Sequence, residues 1–131
     1  MKIVLDTNVV VSAFLSPAGK PSIILQLVLR REHDICINAA VLAEYEQVLC
    51  RSKFAGKIFA PLAERFFEIL RDIGISVISL PSIIDFSDES DRKFYDIAKT
   101  ANAILITGNK RHFPDEHFIM DPAEFLLHQK I

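Results

Sequence analysis

The sequence predicts an α/β fold in three layers, α/β/α, with a central, mostly parallel sheet of about five strands. Short apolar runs alternate with longer segments of helical periodicity, the order expected of βα units in a parallel sheet. The runs KIVL, ISVISL and AILI are almost continuously apolar, as strands are when helices cover both faces of a sheet. The chain has 131 residues, 50% hydrophobic and 24% charged, a composition typical of one globular domain, which we expect to span residues 1–131.

The predicted elements follow from these runs and from the apolar stripes between them. The strands are Lys2–Leu5, Asp34–Ile37, Ile75–Leu80, Ala103–Ile106 and Phe118–Met120. The helices are at about 8–15, 21–31, 39–50, 61–73, 91–101 and 122–129. Pro21, Pro61 and Pro122 stand where a first helical turn would begin, a position that tolerates the missing N–H.

Charge and cysteine content narrow the class of protein. The net charge of −2 and a pI of about 6.1 argue against nucleic-acid binding through bulk positive charge. Cys36 and Cys50 are too few for a disulfide framework, so we expect reduced thiols and a cytoplasmic location. No apolar run approaches the roughly 18 residues needed to cross a bilayer.

Polar residues follow two of the predicted strands. Asp6-Thr7-Asn8 comes after the first strand and Thr107-Gly108-Asn109 after the fourth. Ligands of open parallel sheets bind beyond the carboxyl ends of the strands, so we expect a functional site here. Asp6 has a second interpretation as a helix N-cap, since Asp, Thr and Asn accept bonds from the free N–H groups of a first turn.

The other candidate acids also have two interpretations each. Asp88 and Asp91 belong to a run of four acids that is typical of a solvated loop before a helix, although Asp91 also heads a helix with an apolar stripe. Glu44 and Glu46 flank the apolar stripe of the third predicted helix on opposite sides. Periodicity leaves open which of the two faces the strand ends.

If Asp6, Glu44 and Asp91 converge, their chemistry is that of a metal site. Clustered carboxylates repel one another unless they are protonated or bound to cations, and oxygen ligands favour Mg²⁺ or Mn²⁺ over zinc or copper. Such ions activate water and neutralise the charge that develops on a phosphodiester under attack. Basic residues that could hold phosphate at the rim are Arg51, Lys53, Lys57, Lys110 and Arg111.

Three blocks of the chain resemble the PIN-domain ribonucleases, in particular the bacterial and archaeal group described as toxin components of toxin–antitoxin systems. The blocks are KIVLDTNVVVSAFL, EYEQVLCRSKF and the stretch DESDRKFYDIAKTANAILITGNKRHF. They run from residue 2 to residue 113, so the likeness covers nearly the whole chain. DTN alone is a weak signal, but the ordered set of motifs at these separations is fairly specific.

The resemblance assigns roles to individual positions. It implies that Asp6, Glu44 and Asp91 are the metal-binding and catalytic acids. Asp88, one helical turn before Asp91, is a further candidate metal ligand that could partly compensate for Asn109. Asn8, Ser12 and Thr107 match polar positions that orient the carboxylates and water, a role expected around metal ligands. Asn109 stands where many members have a fourth acid; asparagine cannot neutralise a second cation, though its carbonyl could hold a metal-bound water.

The resemblance also implies an activity and partners. The activity is a Mg²⁺- or Mn²⁺-dependent endoribonuclease on single-stranded RNA, in which water attacks in line and leaves a 5′-phosphate and a 3′-hydroxyl. The partners are a second copy of the chain in a homodimer and a small antitoxin that inserts into the acidic groove.

Three rival interpretations remain, two of them other acid-dependent α/β domains. A haloacid-dehalogenase-like phosphatase has D-x-D after its first strand, where this chain has Asn8. A phospho-accepting receiver domain needs an early acidic pair, and here Asp6 stands alone. A PIN-like module that binds RNA or a partner without cleaving is the third alternative. The presence of Asp6, Glu44 and Asp91 argues against it, because three acids together are costly without cations, whereas Asn109 keeps it open.

Overall fold

A five-stranded sheet forms the centre of the computed structural model, which describes residues 1–51, 54 and 56–130. The strand order is β3-β2-β1-β4-β5, and every pairing is parallel. The strands are β1 (Lys2–Leu5), β2 (Asp34–Ile37), β3 (Ile75–Ser76), β4 (Ile104–Ile106) and β5 (Ile119–Met120). The predicted α/β fold with a central parallel sheet of five strands is confirmed.

Helices connect and follow these strands. In the described ranges they are α1 (Thr7–Leu15), α2 (Lys20–Leu29), α3 (Ala39–Leu49), α4 (Ala60–Ile73), α5 (Arg92–Ala101) and α6 (Pro122–His128). Each lies within two residues of its predicted bounds. Prolines occupy the first turn of α2, α4 and α6, as predicted from their missing N–H.

Both faces of the central strands are covered. Ile3, Val4 and Leu5 of β1 are all buried, although successive residues of a strand point to opposite faces of the sheet. Ile35 and Cys36 of β2 show the same pattern. Helices therefore cover both faces, which gives the three layers expected from the apolar runs.

The third strand is shorter than predicted. The expected Ile75–Leu80 is a strand only over Ile75–Ser76, at the edge of the sheet. Ile78 is 95% exposed, so the apolar run ISVISL is not covered on both faces. Beyond the strand, the Leu80 N–H donates to the Thr100 hydroxyl of α5 at 3.1 Å instead of pairing with a neighbouring strand.

Two further observations concern membrane-spanning helices and the cysteines. No single helix of the described ranges is long and apolar enough to cross a membrane; α1 and α2 reach that length and composition only together, with a bend of 101° between them. Cys36 is buried and Cys50 exposed, and both are free thiols.

The strand order places a crevice beside β1. The chain moves from β1 to β2 and β3 on one side, and then returns to form β4 and β5 on the other. Ligands of open α/β sheets bind where the order reverses, outside the carboxyl ends of the strands. Leu5 of β1 and Ile106 of β4 are register partners, so the residues that follow them lie side by side at this point.

Candidate active site

Asp6 and Thr107 meet at the carboxyl ends of β1 and β4. The Asp6 N–H donates to the Ile106 carbonyl at 3.0 Å, and the Thr107 hydroxyl donates to Asp6 Oδ2 at 2.7 Å. Thr107 Oγ1 also accepts from the Asn109 N–H at 3.0 Å. Asp6 is 7% exposed and Thr107 is fully buried. The carboxylate of Asp6 is therefore oriented from the neighbouring strand.

Helix capping does not explain the Asp6 side chain. Asp6 occupies the N-cap position of α1 with extended backbone, but its side chain makes no capping hydrogen bond. Of the two interpretations left open by the sequence, the structure does not support capping: the Asp6 carboxylate instead accepts the Thr107 hydroxyl at the sheet crevice.

Glu44 faces this crevice and Glu46 does not. The Thr7 hydroxyl donates to Glu44 Oε2, and Lys93 Nζ lies 2.6 Å from Glu44 Oε1. Glu46 is bound instead by Arg71 of α4. The choice that helical periodicity left open is thus decided by the packing of α3 between α1 and α4.

Tyr45 fixes α3 against the end of β1. Its side chain is fully buried, and its hydroxyl donates to the Leu5 carbonyl oxygen at 2.5 Å. Because Leu5 directly precedes Asp6 and Tyr45 directly follows Glu44, this hydrogen bond ties together the backbones that carry the two acids.

Asp91 approaches from the opposite side, at the start of α5. It ends a short 3₁₀ turn, Glu89–Asp91, and its side chain is 14% exposed. Asp91 Oδ2 lies 3.9 Å from His112 Nδ1. Asp88, in contrast, is exposed and caps the turn, since its Oδ1 accepts from the Ser90 N–H at 2.9 Å and from the Ser90 hydroxyl at 2.7 Å.

The pKa values of the acids show that they influence one another. Burial, with the charges of Asp91 and Glu44, raises the pKa of Asp6 from 3.8 to about 6, although the Thr107 hydroxyl opposes the rise. Burial and the charges of Asp88 and Glu44 raise the pKa of Asp91, against the effect of His112 and Lys93. Hydrogen bonds from Ser90 lower the pKa of Asp88.

The donor set suits a hard divalent cation. Carboxylate oxygens are the ligands that Mg²⁺ and Mn²⁺ prefer. A cation would offset both the burial and the smaller charge repulsion that raise the pKa values of Asp6 and Asp91. As arranged, however, no three histidine, cysteine, aspartate or glutamate side chains in the described ranges stand close enough to share an ion. The carboxylate of Glu44 is held by Thr7 and Lys93 instead.

The predicted supporting residues lie around this crevice. Asn8 Oδ1 accepts from the Gly108 N–H at 3.4 Å, which links the two polar turns. Ser12 is exposed and follows Asn8 by one turn of α1. Asn109 is half-buried in the turn after β4.

The predicted basic rim is only partly near the acids. Lys110 and Arg111 lie in a 3₁₀ turn just after Asn109, but Lys110 is paired with Glu124 at 3.0 Å. Arg51 follows α3, roughly two helical turns beyond Glu44. Lys53 lies outside the described residues.

Sequence reasoning missed two contacts of Glu44. The sequence places Thr7 in the polar turn Asp6-Thr7-Asn8 but gives it no partner, and it gives Lys93 no role. Their signals are modest: Thr7 is the middle residue of DTN, and Lys93 follows Asp91 by two residues.

The raised pKa of Asp6 predicts a pH-dependent stability of the metal-free protein. The folded protein binds the Asp6 proton more tightly than the unfolded chain does. The protonated carboxyl therefore contributes its full stabilisation to the fold below about pH 4, and this contribution is lost as the pH rises through about 6. At pH 7.5 the free energy of unfolding is lower by at most about 3 kcal/mol, because each unit of difference between the folded and unfolded pKa is worth about 1.36 kcal/mol. Asp6→Asn removes this loss, so we expect the mutant to be the more stable at pH 7.5.

Urea unfolding in EDTA checks this expectation. The advantage of Asp6→Asn over the wild type is expected to shrink by about 1–2 kcal/mol between pH 7.5 and pH 5. An advantage that does not change with pH would contradict the raised pKa of Asp6.

Comparison with known proteins identifies a family and individual relatives of this chain. The sequence model of a family described as the PIN domain matches residues 2–111. The uncharacterized protein MJ1680 of Methanocaldococcus jannaschii is 34% identical over 114 residues, which are 84% of this chain and 72% of that protein. A chain of VapBC2 from Rickettsia felis, solved bound to a DNA fragment from its promoter, superposes with a TM-score of 0.58 at 20% identity, over 92% of this chain and 98% of that one. At that identity the likeness is one of fold.

Proposed function

We propose, because this chain belongs to the PIN domain family, that it is a Mg²⁺- or Mn²⁺-dependent endoribonuclease acting on single-stranded RNA. The observation that carries the proposal is the approach of Asp6, Glu44 and Asp91 to one another from β1, α3 and the start of α5. The charges of Asp91 and Glu44 help to raise the pKa of the buried Asp6 carboxyl, and a cation that neutralised these charges would remove that cost.

In this proposal Asp6, Glu44 and Asp91 would hold the ion, with Asp88 as a further ligand. A divalent ion supplies an activated water and stabilises the charge that develops on the phosphodiester. Thr107 orients the Asp6 carboxylate and Thr7 orients that of Glu44, through the hydrogen bonds their hydroxyls donate. Such partners typically fix the geometry of metal-binding carboxylates.

The neighbouring polar residues would position RNA and water. The Asn8–Gly108 hydrogen bond fixes the two turns that flank Asp6, and Ser12 is exposed on the same face of α1 as Asn8. Asn109 offers an amide at the position where a fourth acid would add negative charge. Arg51, Lys53, Lys110 and Arg111 are the candidate phosphate contacts, and no side chain is required as a nucleophile.

The proposal extends to partners and location. The chain resembles toxin components of toxin–antitoxin systems, and its fold matches a chain of VapBC2. We therefore expect a small antitoxin protein, a homodimer and a cytoplasmic location, with the described residues acting as a single nuclease domain. The two free thiols fit a reducing compartment.

A cleavage assay on a fluorescent single-stranded RNA tests this function. We expect cutting with Mn²⁺ or Mg²⁺, no cutting with excess EDTA, and recovery when the metal is added back, because the acids need a cation to act on a phosphodiester. The products are expected to carry 5′-phosphate and 3′-hydroxyl ends, which enzymatic end-labelling distinguishes.

The same assay distinguishes the second candidate, a PIN-like module that binds RNA without cleaving it. Asn109 favours that alternative, since it removes one negative charge from the position after β4. RNA that is bound in fluorescence polarisation but stays intact with both metals would favour the binding module and overturn the nuclease.

A further inference from the structure

Lys93 places a positive charge beside Glu44, one of the acids that would hold the proposed ion. Its Nζ lies 2.6 Å from Glu44 Oε1 and donates to the Ser90 carbonyl oxygen. The Lys93 and Glu44 side chains are only 19% and 23% exposed, so water and salt screen this pair less than an ion pair on the open surface. The same ammonium opposes the rise in the pKa of Asp91, so its charge also reaches that carboxylate.

The position of this ammonium is built into the fold. Lys93 lies in the first turn of α5, two residues after Asp91. The 3₁₀ turn that carries Asp91 supplies the Ser90 carbonyl that Lys93 binds. The Lys93 ammonium also lies 4.9 Å from the centroid of the buried Phe94 ring, a favourable cation–π distance.

We propose that Lys93 is an internal counter-ion of the acid site, which holds Glu44 in the metal-free protein and competes with the divalent cation for that carboxylate. The inference rests on the proposed function, since it requires Asp6, Glu44 and Asp91 to be the metal ligands. An ion that takes Glu44 must either displace the ammonium or bind beside a positive charge, and both weaken its binding.

Charge balance explains what such a counter-ion does. The ionised carboxylates of Asp6, Glu44 and Asp91 carry three negative charges, and Lys93 reduces the total to two. Lys93 therefore offsets part of the repulsion among these acids when no cation is bound. The lower total negative charge also attracts a divalent ion less strongly.

Titration with Mn²⁺ tests this inference without relying on activity. We expect Lys93→Met to bind Mn²⁺ about tenfold more tightly than the wild type, measured from the electron paramagnetic resonance signal of free Mn²⁺ at pH 7.5, because one positive charge is gone from the site. Lys99→Met is the matched control, since Lys99 lies on the same helix but pairs with Glu116 at 3.5 Å. It makes the same change of net charge and is expected to leave Mn²⁺ affinity unchanged.

A charge-conserving variant separates charge from shape. Lys93→Arg keeps the positive charge and is expected to bind Mn²⁺ as weakly as the wild type. In EDTA, Lys93→Met is expected to melt at a lower temperature than Lys99→Met and to gain more on addition of Mn²⁺, because ligands that bind only the folded state stabilise it according to their affinity. Lys93→Gln gives the same comparison if Lys93→Met does not fold.

The outcomes separate this inference from the function beneath it. Equal or weaker Mn²⁺ binding by folded Lys93→Met, with binding by the wild type that Asp6→Asn abolishes, overturns the counter-ion and leaves the metal site in place. Failure of both wild type and Lys93→Met to bind Mn²⁺ overturns both. The inference is supported if Lys93→Met binds Mn²⁺ more tightly than the wild type while Lys99→Met and Lys93→Arg do not.

Discussion

Replacing Asp6 with asparagine is expected to reduce RNA cleavage at least about 100-fold while the protein stays folded. Loss of a residue that merely supports a metal ligand typically costs about 10–100-fold in affinity or activity, and loss of a ligand should cost no less. Asparagine keeps the size of Asp6 and can still accept the Thr107 hydroxyl with its amide oxygen. The rate of cleavage of a fluorescent single-stranded RNA at saturating Mn²⁺ measures the effect.

Asp34→Asn is the matched control for this substitution. Asp34 is exposed at the start of β2, so it lies at the end of the sheet opposite to Asp6. The same chemical change there is expected to leave cleavage unaltered. Unchanged cutting by folded Asp6→Asn would remove Asp6 from the site.

Replacing Glu44 with glutamine is expected to lower cleavage by about 10–100-fold. The amide removes the negative charge that the proposed cation requires, although it can still accept the Thr7 hydroxyl. The loss should be partly offset at high Mn²⁺ concentration, because the mutation weakens binding of the ion. Initial cleavage rates across a range of Mn²⁺ concentrations measure both effects.

Glu46→Gln tests whether the face of α3 matters. Glu46 lies two residues further along the same helix and binds Arg71 of α4. Glu46→Gln makes the same chemical change on the side of α3 that faces away from Asp6, and we expect cleavage to stay at the wild-type rate. Equal losses in Glu44→Gln and Glu46→Gln would show that the effect comes from α3 as a whole.

The central strands and Asp6 could be predicted because their signals are local. KIVL and AILI are continuous apolar runs, and buried parallel strands require such runs. Once both runs are taken as parallel strands, Asp6 and Thr107 must follow their carboxyl ends. The predicted third strand is longer than the observed Ile75–Ser76 because ISVISL is as apolar as the central strands. Composition does not reveal that this segment lies at the edge of the sheet, where its side chains are exposed.

The contacts within the site depend on the tertiary structure and were harder to predict. Glu44 and Glu46 are equivalent in helical periodicity, and the approach of α1 and α4 decides between them. The contact of Lys93 with Glu44 joins residues that are 49 positions apart. A lysine in a first helical turn is ordinarily a solvated residue, so the sequence gives no reason to place it among acids.

The most direct test of the central proposal is the anomalous scattering of crystals grown or soaked in Mn²⁺. We expect a peak among the carboxylates of Asp6, Glu44 and Asp91, at the carboxyl ends of β1 and β4. A Mn²⁺-saturated crystal whose anomalous map has no peak among these three side chains would contradict a metal-dependent nuclease at this site.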